Sequence, residues 1–340
     1  MRLIVLFIFT LFMQEPVRAE ESSFVSTIQE ESFTPTESEE ISSGNETYTL
    51  IDQLGEGAFG RVFSAKDSKG NLFAIKWYKG TPGEDDPYWE RLGDVQREFE
   101  HGQQLNHPHI IKSFDLFQGN KNDFYLVLDL VKGKTVYRTK RKSITFNQAL
   151  NYSLQLVDAL KYAESQDLLY LDLHGNNLMM NDSKQIKIID LASFFSWDEI
   201  CEFQLFYFAP NASTPESEPL EKKRIIKALP PRMQKIQKFV EENPHLQKAM
   251  AAMANKKFQT RDNTDQRYRN LVSASYFNRV ADACIDVIKK SQYEKEEKVN
   301  LMLNIKKLAL TFTEEAQDGV TIQGLQAYME ELINIIKEKA

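Results

Sequence analysis

Cysteine is nearly absent: Cys201 and Cys284 are the only two in 340 residues. Two thiols make at most one bridge, which excludes a disulfide-stapled fold and leans toward a reducing compartment. Long apolar runs are scarce as well. Residues 3–13 are apolar apart from Thr10, but eleven residues are too few to cross a bilayer, and no later stretch is apolar for longer. Basic residues are missing altogether from 20–46, which hold eight glutamates and ten Ser/Thr. Such a segment buries too little apolar surface to offset its ordering entropy, so it reads as a disordered acidic linker. The net charge is −7, but its sign is uneven along the chain, and no specific nucleic-acid motif stands out.

The N-terminus pulls against the lean toward a reducing compartment. Met1-Arg2 is a positive start, the apolar run follows, and Pro16-Val17-Arg18-Ala19 resembles a cleavage region. Residues 1–19 therefore read as a signal peptide.

From Thr47 the texture changes to alternating strands, at 48–51, 61–65 and 72–77. Asp67-Ser68-Lys69-Gly70-Asn71 is the hairpin turn between the last two. A helix is predicted over 88–106 and a strand over 124–130. Phe146, Leu150, Leu154, Val157 and Leu160 then recur at helical spacing, and short strands return at 177–180 and 186–189. Beyond about residue 220 only amphipathic stretches remain, at 221–241, 265–290, 295–313 and 321–338, broken at Pro230-Pro231 and Asn243-Pro244. The layout is α+β and two-lobed.

Chemistry concentrates in four places. Leu54-Gly55-Glu56-Gly57-Ala58-Phe59-Gly60-Arg61-Val62 has the G-x-G-x-x-G spacing that dinucleotide folds also use. Here strand-forming residues follow rather than a helix, so the glycines sit in a hairpin where the backbone can approach phosphates. Lys76 ends the apolar strand Phe73-Ala74-Ile75, and Glu98 on the next helix is its natural partner, with Glu100 pointing elsewhere. Asp172 precedes Asn177 by five residues in one loop, suiting a base and a metal ligand. Asp190 closes the strand Ile188-Ile189, where a carboxylate is costly unless it meets a cation or a donor. Magnesium carried by a triphosphate is the economical explanation.

In their order and spacing these elements resemble the protein kinase superfamily: Gly-rich loop, V-A-I-K, helix-C Glu, H-R-D-x-x-x-x-N and D-F-G, over residues 48–190. The resemblance implies a β-rich N-lobe over 47–131, a C-lobe core over 132–220 and an atypical helical region over 221–340. It implies ATP with Mg2+ (or Mn2+) between the lobes, held by Leu54, Gly55, Gly57, Gly60, Val62, Ala74 and Lys76, with Leu128 and Asp129–Val131 at the adenine. Asp172 would be the catalytic base, Lys76 and Glu98 the phosphate-holding pair, and Asn177 and Asp190 the metal ligands. A protein Ser/Thr hydroxyl is the implied acceptor. There are departures. Tyr170-Leu171 replaces the His-Arg, Leu191-Ala192 replaces the Phe-Gly, His174 stands at the loop lysine, and Ala209-Pro210-Asn211 stands where a degenerate A-P-E would. Asp-Leu-His-Gly-Asn-Asn also resembles the loop of small-molecule kinases for antibiotics or choline, and a nucleotide-binding scaffold without catalysis is the remaining alternative.

Two basic clusters stand out against the acidic average. Lys132, Lys134, Arg138, Lys140, Arg141 and Lys142 occupy eleven residues without an acid, and Lys222, Lys223, Arg224, Lys227, Arg232, Lys235 and Lys238 form the second. Either could be an ordinary solvated face. As phosphate binders they would take an inositol polyphosphate, a phosphoinositide head group or nucleic acid, with activation as the consequence for the first cluster. The C-terminal helices would dock a membrane surface or partner, or simply complete the C-lobe. A signal peptide on a kinase resembles the secreted effector kinases of intracellular bacterial pathogens, which act in host cytosol; a secretory-pathway lumen is the alternative.

Overall fold

The computed structural model describes residues 38–57, 60–79, 88–119, 123–201, 231–244, 246, 261–292, 295–318 and 324–339. The expected signal peptide, most of the expected linker and the Ala209-Pro210-Asn211 segment lie outside these residues.

Six antiparallel strands form the first sheet, in the order β1-β2-β3-β4-β6-β5: β1 Glu40–Ser42, β2 Thr47–Gly57, β3 Gly60–Asp67, β4 Leu72–Tyr78, β5 Ser113–Gln118 and β6 Phe124–Asp129. Alternation along each strand sorts side chains to two faces. Phe124, Leu126 and Leu128 of β6 enter the main core, while Tyr125 and Val127 join Phe63, Ala65, Ile75 and Trp77 in a second cluster on the other face. Tyr48 stacks on Phe117 at 6.1 Å and meets Phe73 edge-on at 5.7 Å, covering that cluster. Strand β1 corrects the expectation that disorder extends to residue 46. Ile41 is buried in the second cluster, and Glu40–Ser42 pair with Thr47–Thr49, so one apolar side chain and a backbone ladder hold an otherwise acidic stretch.

The hairpin at 67–71 is present. Gly70 has φ +85°, its N–H donates to Asp67 O, and the Asp67 carboxylate accepts from the Lys69 and Asn71 N–H groups. Helix α1, Tyr88–Gln104, follows β4 and packs on β5.

The second part is helical around small strand pairs. Helix α2, Phe146–Ser165, starts at a capping box in which Thr145 Oγ1 accepts from Gln148 N and Gln148 Oε1 accepts from Thr145 N. Ten of its side chains are buried, from Phe146 to Ala163, which makes it the axis of this part. Strand β8, Leu168–Tyr170, pairs with β11, Phe194–Ser196; β9, Leu178–Asn181, lies between β7, Gly133–Thr135, and β10, Ile186–Ile188. Then come α3 Pro231–Glu241, α4 Arg261–Lys289, α5 Lys295–Asp318 and α6 Leu325–Lys337. Helices α4 and α6 pack directly on α2, and α4–α6 share one continuous core with the strands above. The helices complete the second lobe. Among the described residues their apolar faces are buried there, apart from Val299, Leu303 and Leu310 of α5. No described helix is long and apolar enough to cross a membrane.

Candidate active site

The two carboxylates most separated in sequence meet at one ammonium. Lys76 Nζ lies 2.9 and 3.1 Å from the Glu98 carboxylate oxygens and 3.5 Å from Asp190 Oδ1. Glu98 is 1% exposed and Lys76 21%, so the pair is screened little by water. Burial works against the Lys76 ammonium, but Glu98 beside it, with Tyr78 and Asp190, raises its proton affinity well above the usual lysine value. The Tyr78 hydroxyl donates to Glu98 Oε2, and the Lys76 ammonium lies 5.0 Å from the Tyr78 ring centroid. Burial and the Glu98 charge push the phenol up, so Tyr78 stays a neutral donor. Tyr78 was missed in the sequence although the signal is simple: two residues after Lys76 on a strand, it shares the same face.

Helix α1 presents Glu98 at this depth because it comes very close to its neighbours. A Cβ on Gly102 would lie 2.4 Å from Ser113 Oγ and 2.7 Å from Leu191 Cδ1. Ser113 Oγ in turn donates to Phe99 O at 2.7 Å, tying helix to sheet.

Asp190 caps the 3-10 turn Leu191–Ser193, accepting from Ala192 N at 3.3 Å and Ser193 Oγ at 2.8 Å. Its burial favours the neutral acid. Lys76 first, then Lys235 and the Ser193 hydroxyl, overcome that and hold it below the ordinary carboxylate value. The strand leading to it is fixed by Ile188 N to His109 O and Ile111 N to Ile188 O, and Ile189 N donates to Asn177 O. Asn177 and Asp190 are thereby coupled through one backbone bond.

Asp172 occupies the facing loop. Asn177 Nδ2 donates to its main-chain O at 3.0 Å and to Oδ2 at 3.3 Å. His174 Nε2 is 3.3 Å from Oδ2, and Lys238 Nζ of α3 is 3.4 Å from Oδ1. The His174 hydrogen bond is the main influence and outweighs burial; with Lys238 it holds the carboxyl far below the usual range. Tyr170, which replaces the expected histidine, is fully buried and packs on Phe194 at 4.8 Å.

Above these groups lies the sheet. Val62 is opposite Lys76 in the ladder and Ala74 opposite Leu128, so both face the side that carries Lys76. Leu54 is 45% exposed at its edge. The glycines divide by cause. A Cβ on Gly60, φ +149°, would fall 1.8 Å from Trp77 O, so close strand pairing demands that glycine. A Cβ on Gly55 meets nothing within 4 Å, so packing does not require it and the clearance is open to a ligand. Gly57 ends β2, and Ala58 and Phe59 lie outside the described residues. Asp129 accepts from Lys112 N and Lys187 Nζ, both at 3.3 Å, and its own N–H donates to Lys112 O at 3.0 Å, so its side chain and N–H are engaged within the fold. Val131 packs against the main core.

The basic clusters separate. Lys132, Lys134, Arg138, Lys140, Arg141 and Lys142 are exposed along β7 and the loop into α2. That loop joins the end of α4 through Ser143 N to Lys290 O and Gln292 N to Ile144 O. Arg141 and Lys142 thereby come near Lys298 of α5. Of the second cluster, Lys222, Lys223, Arg224, Lys227 and the Arg232 side chain lie outside the described residues. Lys235 and Lys238 do not act as one patch as grouped in the sequence: Lys235 donates to Ala192 O beside Asp190, and Lys238 pairs with Asp172. Nothing in their local sequence signals this, because the rotation of α3 is set by contacts far along the chain.

A buried Lys–Glu pair, two facing loop carboxylates and a glycine-bearing hairpin are arranged as in the bilobal kinase fold. Residues 48–214 match the family model "Protein kinase domain", and this segment belongs to the protein kinase superfamily. NUAK family SNF1-like kinase 2 from Homo sapiens is 28% identical over 171 residues, covering 50% of this chain and 27% of that protein. NUAK family SNF1-like kinase 1 from Homo sapiens is 28% identical over 174 residues, covering 50% and 25%. A probable serine/threonine-protein kinase KIN1 homolog from Enterocytozoon bieneusi is 29% identical over 174 residues, covering 48% and 28%. The chain thus spans about a quarter of the length of these curated relatives.

Proposed function

We propose that the chain is an ATP- and magnesium-dependent protein kinase acting on Ser/Thr hydroxyls. The observation that carries this is the Lys76–Glu98 pair formed together with Asp190, 3.5 Å from the same ammonium. A lysine held charged among carboxylates is positioned for phosphate, and one buried carboxylate plus one amide oxygen is a donor set that suits a cation sharing phosphate oxygens. Asn177 donates through nitrogen to Asp172, which keeps its carbonyl oxygen as the acceptor for that cation. Bound Mg-ATP would supply the phosphoryl group and the neutralising metal charge. Glu98 and Tyr78 hold Lys76 in place; Lys76 anchors phosphate oxygens. Asp172, kept ionised, accepts the hydrogen bond of the attacking hydroxyl and aligns it.

Two finer readings accompany this one. Crowding of Lys298 by Lys142 and Arg141 favours a polyanion at the first basic cluster: burial first, then these two cations, lowers its proton affinity, and a multiply phosphorylated ligand relieves that repulsion. The apolar N-terminal run supports export, with action in host cytosol preferred over a secretory lumen because this chain holds only two cysteines.

The test is transfer of labelled phosphate from Mg-ATP to a generic protein acceptor, with Asp190→Ala alongside and inositol hexakisphosphate present or absent. Label on protein that vanishes in Asp190→Ala is the expected result. Dependence on the polyanion, lost on reversing Arg141 and Lys142 to Glu, would assign the cluster. No transfer despite ATP binding would move the reading to a small-molecule kinase or a scaffold.

A further inference from the structure

We infer that Lys238 of α3 supplies to the transferring phosphoryl group the positive charge that the catalytic loop lacks at position 174. The inference rests on the kinase reading above and concerns the same site. In the loop itself the side chain two residues after Asp172 is His174, and its Nε2 is engaged with Asp172 Oδ2 at 3.3 Å. The other carboxylate oxygen, Oδ1, faces Lys238 Nζ at 3.4 Å, from a helix that begins some sixty residues later.

The placement of Lys238 is built into how α3 docks. Pro231 opens the helix, where its missing N–H costs nothing. Ile236, Phe239 and Val240 are buried. The C-terminal end is held by Arg279 of α4, whose Nη2 is 2.5 Å from Glu242 Oε2 and whose guanidinium lies 5.0 Å from the Phe239 ring centroid. With that rotation fixed, Lys235 and Lys238, three residues apart, project together. Lys235 Nζ donates to Ala192 O at 3.1 Å and Ser193 Oγ at 3.4 Å, beside Asp190. One helix therefore brings one ammonium to Asp172 and a second to the turn that Asp190 caps.

The two lysines differ in freedom. Lys235 is part-buried, whereas the Lys238 side chain is 56% exposed. So open an ion pair contributes little to stability, and a flexible four-carbon stem lets the ammonium move a few ångströms from Asp172 to a phosphoryl oxygen at the same locus. In the step itself the acceptor oxygen–phosphorus bond forms as the bond from that phosphorus to the ADP oxygen breaks. The hydroxyl proton passes to Asp172, and Lys238 stays protonated throughout, facing the charge on the equatorial oxygens.

The test uses the full chain with Mg-ATP and a casein acceptor, comparing wild type, Asp190→Ala, Lys238→Met, Lys238→Arg and the double variant Lys238→Met/His174→Lys. Lys238→Met is expected to lower kcat about 100-fold, the scale of one lost transition-state donor. KM for ATP and the unfolding midpoint should stay close to wild type. Lys238→Arg should keep most of the rate, and a lysine returned to position 174 should recover at least about tenfold by restoring transition-state charge from the loop side. Wild-type rates in Lys238→Met, faster rates (Lys238 then merely restrains Asp172), or no recovery in the double variant would each overturn the inference while leaving the kinase reading intact. Absence of Asp190-dependent transfer in the wild type would overturn both.

Discussion

Replacing Lys76 by Met removes a charge while keeping the side-chain length, and strands two carboxylates. Glu98, 1% exposed, loses its partner at 2.9 Å, and Asp190 loses the cation at 3.5 Å. Breaking a buried pair by removing one member costs about 3–5 kcal/mol. Lys76 keeps 21% of its side-chain surface, so water screens part of this and about 3 kcal/mol is expected. For a chain of this size that corresponds to roughly 6 °C in Tm, at about 2 °C per kcal/mol. The pH dependence gives the sharper check. Burial by itself would raise the Asp190 pKa; Lys76 and Lys235 depress it below 3.8. A depressed carboxylate contributes stability that is present above its unfolded pKa and lost as pH falls through the folded one. Lys76→Met removes the largest part of that depression and leaves Lys235 and Ser193, so the deficit should be full at pH 7 and shrink as pH drops below about 4. Urea unfolding of both proteins at pH 7 and at about pH 3 reads it directly. A deficit below about 1 kcal/mol at pH 7, or one of unchanged size in acid, would refute the argument that charge rather than packing is responsible.

Two other substitutions probe the supports of the site. Gly102→Ala places a Cβ 2.4 Å from Ser113 Oγ, so α1 must move outward; about 1–3 kcal/mol of destabilisation is expected, with a fall in kcat that exceeds any change in KM for ATP because Glu98 moves with the helix. Phe312→Ala removes a buried ring stacked on Tyr328 at 3.9 Å and should cost about 3–5 kcal/mol in urea unfolding, while the folded fraction retains ATP affinity by titration.

Much of the first lobe was legible because two local signals coincide there. Phe73, Ala74, Ile75 and Lys76 alternate as a strand, and the spacing from Gly60 through Asp190 matches a known order of chemical groups. Helix boundaries were also close: Thr145 and Gln148 are a readable cap, and the expected 88–106 and 265–290 became Tyr88–Gln104 and Arg261–Lys289. Strand β1 was not legible, since among Glu39, Glu40, Ser42 and Ser43 only Ile41 is apolar and its burial depends on Tyr125 and Trp77 far away. Nor was the role of the C-terminal helices. Their periodicity shows an apolar face but not what it meets, and the partner proved to be α2. Lys238 is the plainest case. In sequence it is one more cation in a basic run, and the burial of Ile236, Phe239 and Val240 with the anchoring of α3 by Arg279 turns it toward Asp172.

The packing of α6 on α2 also bears on when, during synthesis, this protein can become competent. Gln326 donates to Lys161 O at 3.1 Å and Lys161 pairs with Glu330, joining groups some 165 residues apart. Helix α2 delivers the chain into the catalytic loop, yet one flank of it remains bare until the ribosome has released the segment ending at Lys337. A nascent chain carrying every ATP-site residue would still have an unfinished wall behind Asp172. Assembly in this order is slow in the way that non-local contacts are slow, and it delays completion of the Asp172 loop's support until the segment through Lys337 has been made.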